Sequence, residues 1–399
     1  MVFFDSVGNL PSNHHAPISI IAACPQAEIR GSIHAAHDLN ALRDLMRVHC
    51  ARQTKAADVI PHGGLCGSIE YDGTFSFGVY PEWLVYDHVN LQWHGQPEWG
   101  KISGLHGNRG PCKIGQFTPS TSRERFIQTV NQAREWIAAG DIYQVNLTQQ
   151  FRAACSRDAE LWNLYEALRT ASPAPMSCWM QRDGKQILSS SPETFLHVCG
   201  RDVETRPIKG TRPRFADQED DRRSAHDLQT SPKEISELVM ITDLLRNDLG
   251  QVCEFGSVCV SQMLQLESLA QVHHLVSTVN GKLAEREDVF SLLAACFPGG
   301  SITGAPKKRA MEIIQELESV PRGLYCGAMG YIDFSGNAQW NIAIRTLIHE
   351  NETLHYHVGA GIVADSNAEA EYLETLHKAR GIQEALAAWQ NNAISSPLT

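Results

Sequence analysis

The sequence predicts a mixed α and β protein, on three observations. A hairpin spans residues 64–80, short strands follow one another between 142 and 198, and capped helices lie before, between and after them. In the hairpin, Ile69 and Tyr71 alternate on one arm and Phe75, Phe77 and Val79 on the other, with Asp72-Gly73 at the turn. Before it, Asp38, Leu39, Leu42, Leu45 and Met46 have helical spacing. Residues 96–119 are rich in Gly and Pro with weak periodicity. They mark a candidate boundary between an N-terminal part, 1–110, and a larger region, 111–392.

Ser122 reads as the N-cap of a helix whose buried face is Phe126, Val130, Ala133 and Ile137, and Gly140 ends it. Residues 142–151 alternate as a strand, with Tyr143, Val145 and Leu147 on one side and Gln144, Asn146, Thr148 and Gln150 on the other. That polar side is either a solvated edge or the wall of a pocket. A helix over 159–170 precedes strands near 176–181, 186–191 and 194–198, and Pro192 leaves Glu193 at the exit of the second of these. Ser231-Pro232 reads as N-cap and first residue of a helix running to Asn247. Ser366 and Glu369 read as a capping box opening a long last helix.

The 399 residues, 43% hydrophobic and 20% charged, describe a globular protein with ample chain for a large core. A net charge of −11 without any basic run argues against nucleic acid as a partner. The N-terminus has neither a basic region nor a long apolar run, so no signal peptide or membrane contact is expected. Eleven cysteines without a CxxC pair suit a reducing, cytoplasmic setting.

Chemistry concentrates in a few stretches. Lys209 sits between a proline and a glycine, in Arg206-Pro207-Ile208-Lys209-Gly210-Thr211-Arg212, so its backbone is held rather than free. Arg206, Arg212 and Arg214 crowd it in sequence, and nearby positive charge disfavours an ammonium, as a nucleophilic lysine needs. The alternative is a basic turn that binds an anion. Glu234 and Glu237 share one helix face, and Glu371, Glu374 and Lys378 share another. Two such pairs suit a hard cation, Mg²⁺ rather than Zn²⁺, provided the faces meet; otherwise they are two acidic solvent faces. PGGSITGAPK, residues 298–307, resembles a phosphate loop but lacks the Gly-Lys-Ser/Thr ending, so a nucleotide site is rejected. Arg345 follows alternating apolar residues and is placed to grip a carboxylate or to form a surface ion pair. His274 is a core histidine or a site residue.

Taken together, GDIYQ at 140–144, SPE at 191–193, PIKGT at 207–211, ELVMITDLLRND at 237–248, HLVS at 274–277, PGGSITGAPK, and GAGIVADS at 359–366 with EYLE at 371–374 resemble the chorismate-utilising enzyme family. Its members include anthranilate synthase component I, aminodeoxychorismate synthase component I and the isochorismate and salicylate synthases. The resemblance implies an α+β fold: two antiparallel sheets packed as a sandwich, flanking helices, and the site in the cleft between the sheets. It implies Glu237 and Glu374 as Mg²⁺ ligands with Glu234 and Glu371 close by, and Tyr325, Arg345 and the Gly361 backbone as the grip on the enolpyruvyl carboxylate. Further substrate contacts are expected from Gly210, Thr211, Gln144 and Lys378. Glu193 resembles the general acid beside the departing C4 hydroxyl, with His274 beside that leaving group.

Two positions distinguish the members. Isochorismate and salicylate synthases place a lysine base where this chain has Gln144, and glutamine takes no proton from water. Anthranilate synthases usually have alanine where Lys209 stands, whereas lysine in PIKGT marks the aminodeoxychorismate synthases. That branch implies chorismate as substrate, Lys209 as nucleophile with the metal carboxylates across the substrate from it, and ammonia from a separate glutamine amidotransferase subunit. The residues that bind regulatory tryptophan in anthranilate synthases are not recognisable here.

Overall fold

The computed structural model describes residues 1–6, 17–50, 60–98, 113–269 and 272–395. Among these, the strands form two antiparallel sheets, of eleven and ten strands. In the first sheet the order across its centre is Gln144–Ala154, Thr353–Ile362, Thr346–Glu350, Lys185–Ser191, Met176–Arg182 and Val2–Asp5. In the second it is Ile208–Pro213, Val272–Lys282, Asp202–Arg206, Thr194–Cys199, Ala338–Ile342, Ala328–Asp333, Gly64–Ile69 and Thr74–Tyr80.

Side-chain alternation along the strands sets the layers. In Ala328–Asp333, Met329 and Tyr331 pack toward the other sheet, while Ala328 and Ile332 pack away from it. In Lys185–Ser191, Ile187 faces the middle and Leu188 the outside. The middle core therefore joins Val2, Ile20, Cys178, Met180 and Ile348 of one sheet to Cys66, Tyr80, Met329 and Tyr331 of the other. Helices Trp162–Ala171 and Ala368–Ser395 cover the outer face of the first sheet through Leu164, Leu168 and Ile382. Helices Ala36–Cys50 and Val289–Cys296 cover the second through Leu39, Leu42, Phe290 and Leu293. This is the expected sandwich with helices outside.

The chain crosses between the sheets twice at one corner. Ser191 ends a strand of the first sheet and Thr194 begins one of the second; Ile342 and Thr346 make the reverse crossing. The two crossings are bonded to each other. Ile342 N donates to Glu193 O at 3.1 Å, Ser190 N to Arg345 O at 3.1 Å, and Ser191 Oγ to Ile342 O at 2.6 Å. Glu193 and Arg345 are thereby fixed where the sheets part.

Several sequence expectations change. Lys209 lies in a strand, Ile208–Pro213, not in a turn; Gly210 supplies a left-handed φ of 72° at an irregularity in the ladder. Arg345, expected to continue a run of alternating apolar residues, lies instead in the crossing, also left-handed, with φ 49°. Tyr143 precedes its strand and is exposed. The last helix is capped by Asn367, whose Oδ1 accepts from Ala370 N; Ser366 binds Glu371 instead, and Glu369 pairs with Arg123. The candidate boundary within 96–119 falls largely on residues outside the described ones, and strands before residue 98 belong to both sheets.

Candidate active site

A cavity of about 1100 Å³ opens at the corner where the sheets part. Twelve of the fourteen site residues expected from the sequence line it: Glu193, Lys209, Gly210, Thr211, Glu234, Glu237, His274, Tyr325, Arg345, Gly361, Glu374 and Lys378. The remaining two, Gln144 and Glu371, are buried just behind the wall. Gln144 belongs to the polar side of its strand, so that side forms a wall and not a solvated edge. A Cβ placed on Gly361 would come 2.6 Å from Gln144 Nε2 and 3.4 Å from Glu237 Oε2. Glycine is required there for the strand to pass between them.

Glu193 is buried, and burial pushes its carboxyl up to about 7, against opposing pulls from the Ser301 hydroxyl and the Lys209 ammonium. A carboxylic acid still protonated near neutrality is suited to general acid catalysis. Lys209 is only 11% exposed along its side chain, and its Nζ donates to Ser301 O at 3.0 Å. The arginines around it in sequence do not press on it. Arg206 is in a buried pair with Glu267, Arg214 binds Asp221 at 2.9 Å, and Arg212 lies 3.9 Å from Glu234. The charge beside Lys209 is negative: Glu237 Oε2 is 4.0 Å from Nζ. So Glu237 stands next to the lysine and not across a substrate from it, because Ile208–Pro213 lies directly against helix Pro232–Gly250.

His274 is buried and held neutral, its imidazole pulled down to about 3 by burial. Its Nδ1 lies 3.0 Å from Thr211 Oγ1 and 3.4 Å from Gly210 O. Its Nε2 is buried without a partner, and the residue lines the cavity. A proton on Nδ1 shared with the Gly210 carbonyl leaves Nε2 as an acceptor for a hydroxyl.

Both carboxylate helices turn acids toward the cavity, so their faces meet. Ser231 caps the first by accepting from Glu234 N, and Pro232 is its first residue. Burial raises Glu237, and the charges of Glu234 and Glu374 raise it further, while Lys209 and Lys233 oppose them. Glu374 is bridged by Lys378 at 2.8 Å, and Lys378 also donates to Gly359 O at 3.0 Å. Glu371 is held by Ser366 Oγ at 2.7 Å and Lys233 Nζ at 2.9 Å. One oxygen each of Glu237 and Glu371 is buried without a partner. Among the described residues no three His, Cys, Asp or Glu side chains converge closely enough to hold a metal on protein ligands alone. An orphaned buried carboxylate oxygen beside a second acid does fit a cation that keeps water and substrate oxygens in its shell, as Mg²⁺ does.

The sequence profile of the chorismate binding enzymes matches residues 64–384. The chain belongs to that family. It is 42% identical over 318 residues to aminodeoxychorismate synthase component 1 of Klebsiella aerogenes, covering 77% of this chain and 70% of the relative. It is 40% identical over 303 residues to anthranilate synthase component 1 of Saccharolobus solfataricus, covering 76% and 71%. The crystal structure of anthranilate synthase component I from Streptococcus pneumoniae superposes with a TM-score of 0.79 at 28% identity, over 94% of each chain.

In this family member the far end of the cavity is cationic and aromatic. Arg345 is half-buried, makes no ion pair among the described residues, and is supported electrostatically by Glu193. Its left-handed backbone is a strain that the bonded crossings hold in place. Tyr325 is stacked flat on His357, with ring centroids 5.1 Å apart at 15°. Sequence reasoning missed His357. It is buried, neutral, pulled down to about 3 by burial, and neither ring nitrogen has a partner. Its signal was present: residues 357, 359 and 361 share one side of a strand, so His357 faces where the two glycines face. Ser301 and Lys233 were missed too. PGGSITGAPK is no phosphate loop; its Lys307 is engaged by Asp248 at 2.6 Å, and its Ser301 carbonyl serves Lys209.

Proposed function

We propose that this chorismate-binding enzyme is an aminodeoxychorismate synthase component I, converting chorismate and ammonia to 4-amino-4-deoxychorismate and water. The observation that carries the reading is Lys209: a lysine amine inside the cavity, between the raised carboxyl of Glu193 and the helix acid Glu237. In this reading Nζ forms a bond to C2 of the ring, both ring double bonds shift by one position (C1=C2 to C1=C6 and C5=C6 to C4=C5), and the C4–O bond breaks. Glu193 gives the departing hydroxyl its proton, so water leaves. His274 Nε2 accepts a hydrogen bond from that hydroxyl. Ammonia then bonds to C4, both double bonds return to their original positions, and the C2–N bond breaks to restore the free lysine. The surplus proton on the new amine returns to Glu193.

Arg345, Tyr325 and the Gly361 backbone hold the enolpyruvyl carboxylate, and Gly210, Thr211, Gln144 and Lys378 orient the ring. Glu237 and Glu374 would hold Mg²⁺, with Glu234 and Glu371 supporting it through water. That ion supplies Lewis acidity and a template for the ring carboxylate. Burial and the unpartnered oxygen of Glu237 support this assignment.

The alternative is anthranilate synthase component I, favoured by the Saccharolobus relative and the Streptococcus structure. Incubation with chorismate, Mg²⁺ and ammonium decides between them. Aminodeoxychorismate without pyruvate is expected. Pyruvate with fluorescent anthranilate overturns the reading in favour of the alternative.

A further inference from the structure

Behind the cavity lies a buried charge that the chemistry above does not use. Arg322 is 1% exposed and its partner Glu318 7%. Its guanidinium donates four bonds: Nε to Glu318 Oε2 at 2.9 Å, Nη2 to Glu318 Oε1 at 2.8 Å, Nη1 to Ile302 O at 2.9 Å, and Nη2 to Asn146 O at 2.7 Å. The Tyr71 ring covers its face, 4.5 Å from Cζ. Glu318 Oε1 accepts a further bond from Thr148 N at 2.9 Å.

Each acceptor belongs to the site's frame. Ile302 follows Ser301, whose carbonyl receives the Lys209 ammonium. Asn146 and Thr148 sit on the strand whose polar side walls the cavity, and Asn146 lines it. One planar fork thus joins the turn that anchors the lysine to the wall facing it. A buried ion pair is weak grounds for stability, because apolar residues of similar volume pack as well. A fixed geometry is what the fork supplies, and lysine, a single ammonium without the planar fork, does not reproduce it.

We propose that Arg322 is a positioning residue for Lys209, setting the Gly300–Ile302 turn so that the Ser301 carbonyl holds Nζ at the reacting position. The proposal rests on the reading of Lys209 as the nucleophile.

The test uses the full chain with two changes. Arg322→Lys keeps the charge beside Glu318 and loses the fork. The double variant Arg322→Met/Glu318→Leu replaces the pair by apolar side chains and guards against a misfolded single variant. Three readouts are taken: kcat and KM for chorismate with ammonium, melting temperature, and the rate at which a short pulse of an amine-acylating reagent modifies Lys209 relative to Lys378. A displacement of the lysine by part of an ångström should lower kcat roughly 10- to 100-fold. KM should stay within about twofold, because the substrate's carboxylate grip is untouched. The Lys209 acylation rate should change relative to Lys378 in both variants, while the double variant melts near the wild-type temperature. Wild-type kcat and wild-type acylation of Lys209 in the folded double variant would overturn the proposal, as would a loss of kcat that merely tracks the unfolded fraction. Acylation is read without substrate. If the wild-type enzyme makes a different product, the functional reading falls while the placement of Lys209 by Arg322 is still judged on its own.

Discussion

In the proposed reaction Glu193 and Lys209 divide the chemistry at the scale of single residues, and their surroundings set the division. Glu193 is buried, so its acid form persists to about 7. As pH rises through that value the proton is lost and with it the general acid. At a fixed concentration of free ammonia, kcat is expected to fall on the alkaline side with a midpoint near 7. Glu193→Gln keeps the shape but cannot give a proton, so the rate should drop by roughly 10²–10⁴ and the alkaline limb should vanish. A steady-state pH profile of both proteins checks this; an alkaline limb surviving in Glu193→Gln would remove Glu193 from the role. Lys209→Ala should abolish the covalent route and leave chorismate bound, since Arg345 and the acids remain. Wild-type enzyme given chorismate without ammonia, quenched in acid and analysed by mass, should carry a substrate fragment on the Lys209 peptide. A variant at the wild-type rate with no trapped adduct would reduce the lysine to an electrostatic neighbour.

At the scale of elements, the site is two helices and two strand crossings aimed at one corner. The helices were legible from short-range rules. Ser122, Ser231 and Gly140 act as caps, and Pro232 opens its helix, where the sequence places them, because capping is decided within one turn. The same short range misled at Ser366, where the hydroxyl finds Glu371 and leaves the cap to Asn367. It misled at Lys209 as well: arginines adjacent in sequence are drawn off by Glu267, Asp221 and Glu234, none of which sequence spacing could pair with them. For the metal the elements make a definite prediction. The two proposed ligands, Glu237 and Glu374, come from different helices, so Glu374→Gln removes one without disturbing the other. Mg²⁺-dependent turnover should be lost while the melting temperature stays near wild type, since Glu374 is partly exposed and its bridge to Lys378 is a surface pair worth about 1 kcal/mol at most. An active Glu374→Gln variant with unchanged Mg²⁺ dependence would refute the assignment.

At the scale of the molecule, the sheets are built from segments far apart in sequence, and that is why their order could not be read from periodicity. Val2–Asp5 pairs with Met176–Arg182, and Gly64–Ile69 with Ala328–Asp333. Alternation identifies a strand but does not name its partner; the resemblance supplied the sandwich. The same scale bears on where ammonia comes from. A glutaminase needs a thiol that ionises easily, at a helix N-terminus or beside a cation. The buried thiols here go the other way: burial pushes Cys253 up to about 11 and Cys326 up to about 12, and raises Cys66, Cys178 and Cys296 as well. None lies in the cavity wall. On the aminodeoxychorismate synthase reading, the purified chain is expected to turn over chorismate with ammonium salts, faster as free ammonia increases at constant pH. Glutamine should replace ammonium only after a separate amidotransferase subunit is added. Both are measured by following aminodeoxychorismate formation with each nitrogen source, alone and with the partner. Glutamine-driven turnover by the purified chain alone would place a glutaminase within it and overturn the two-subunit reading.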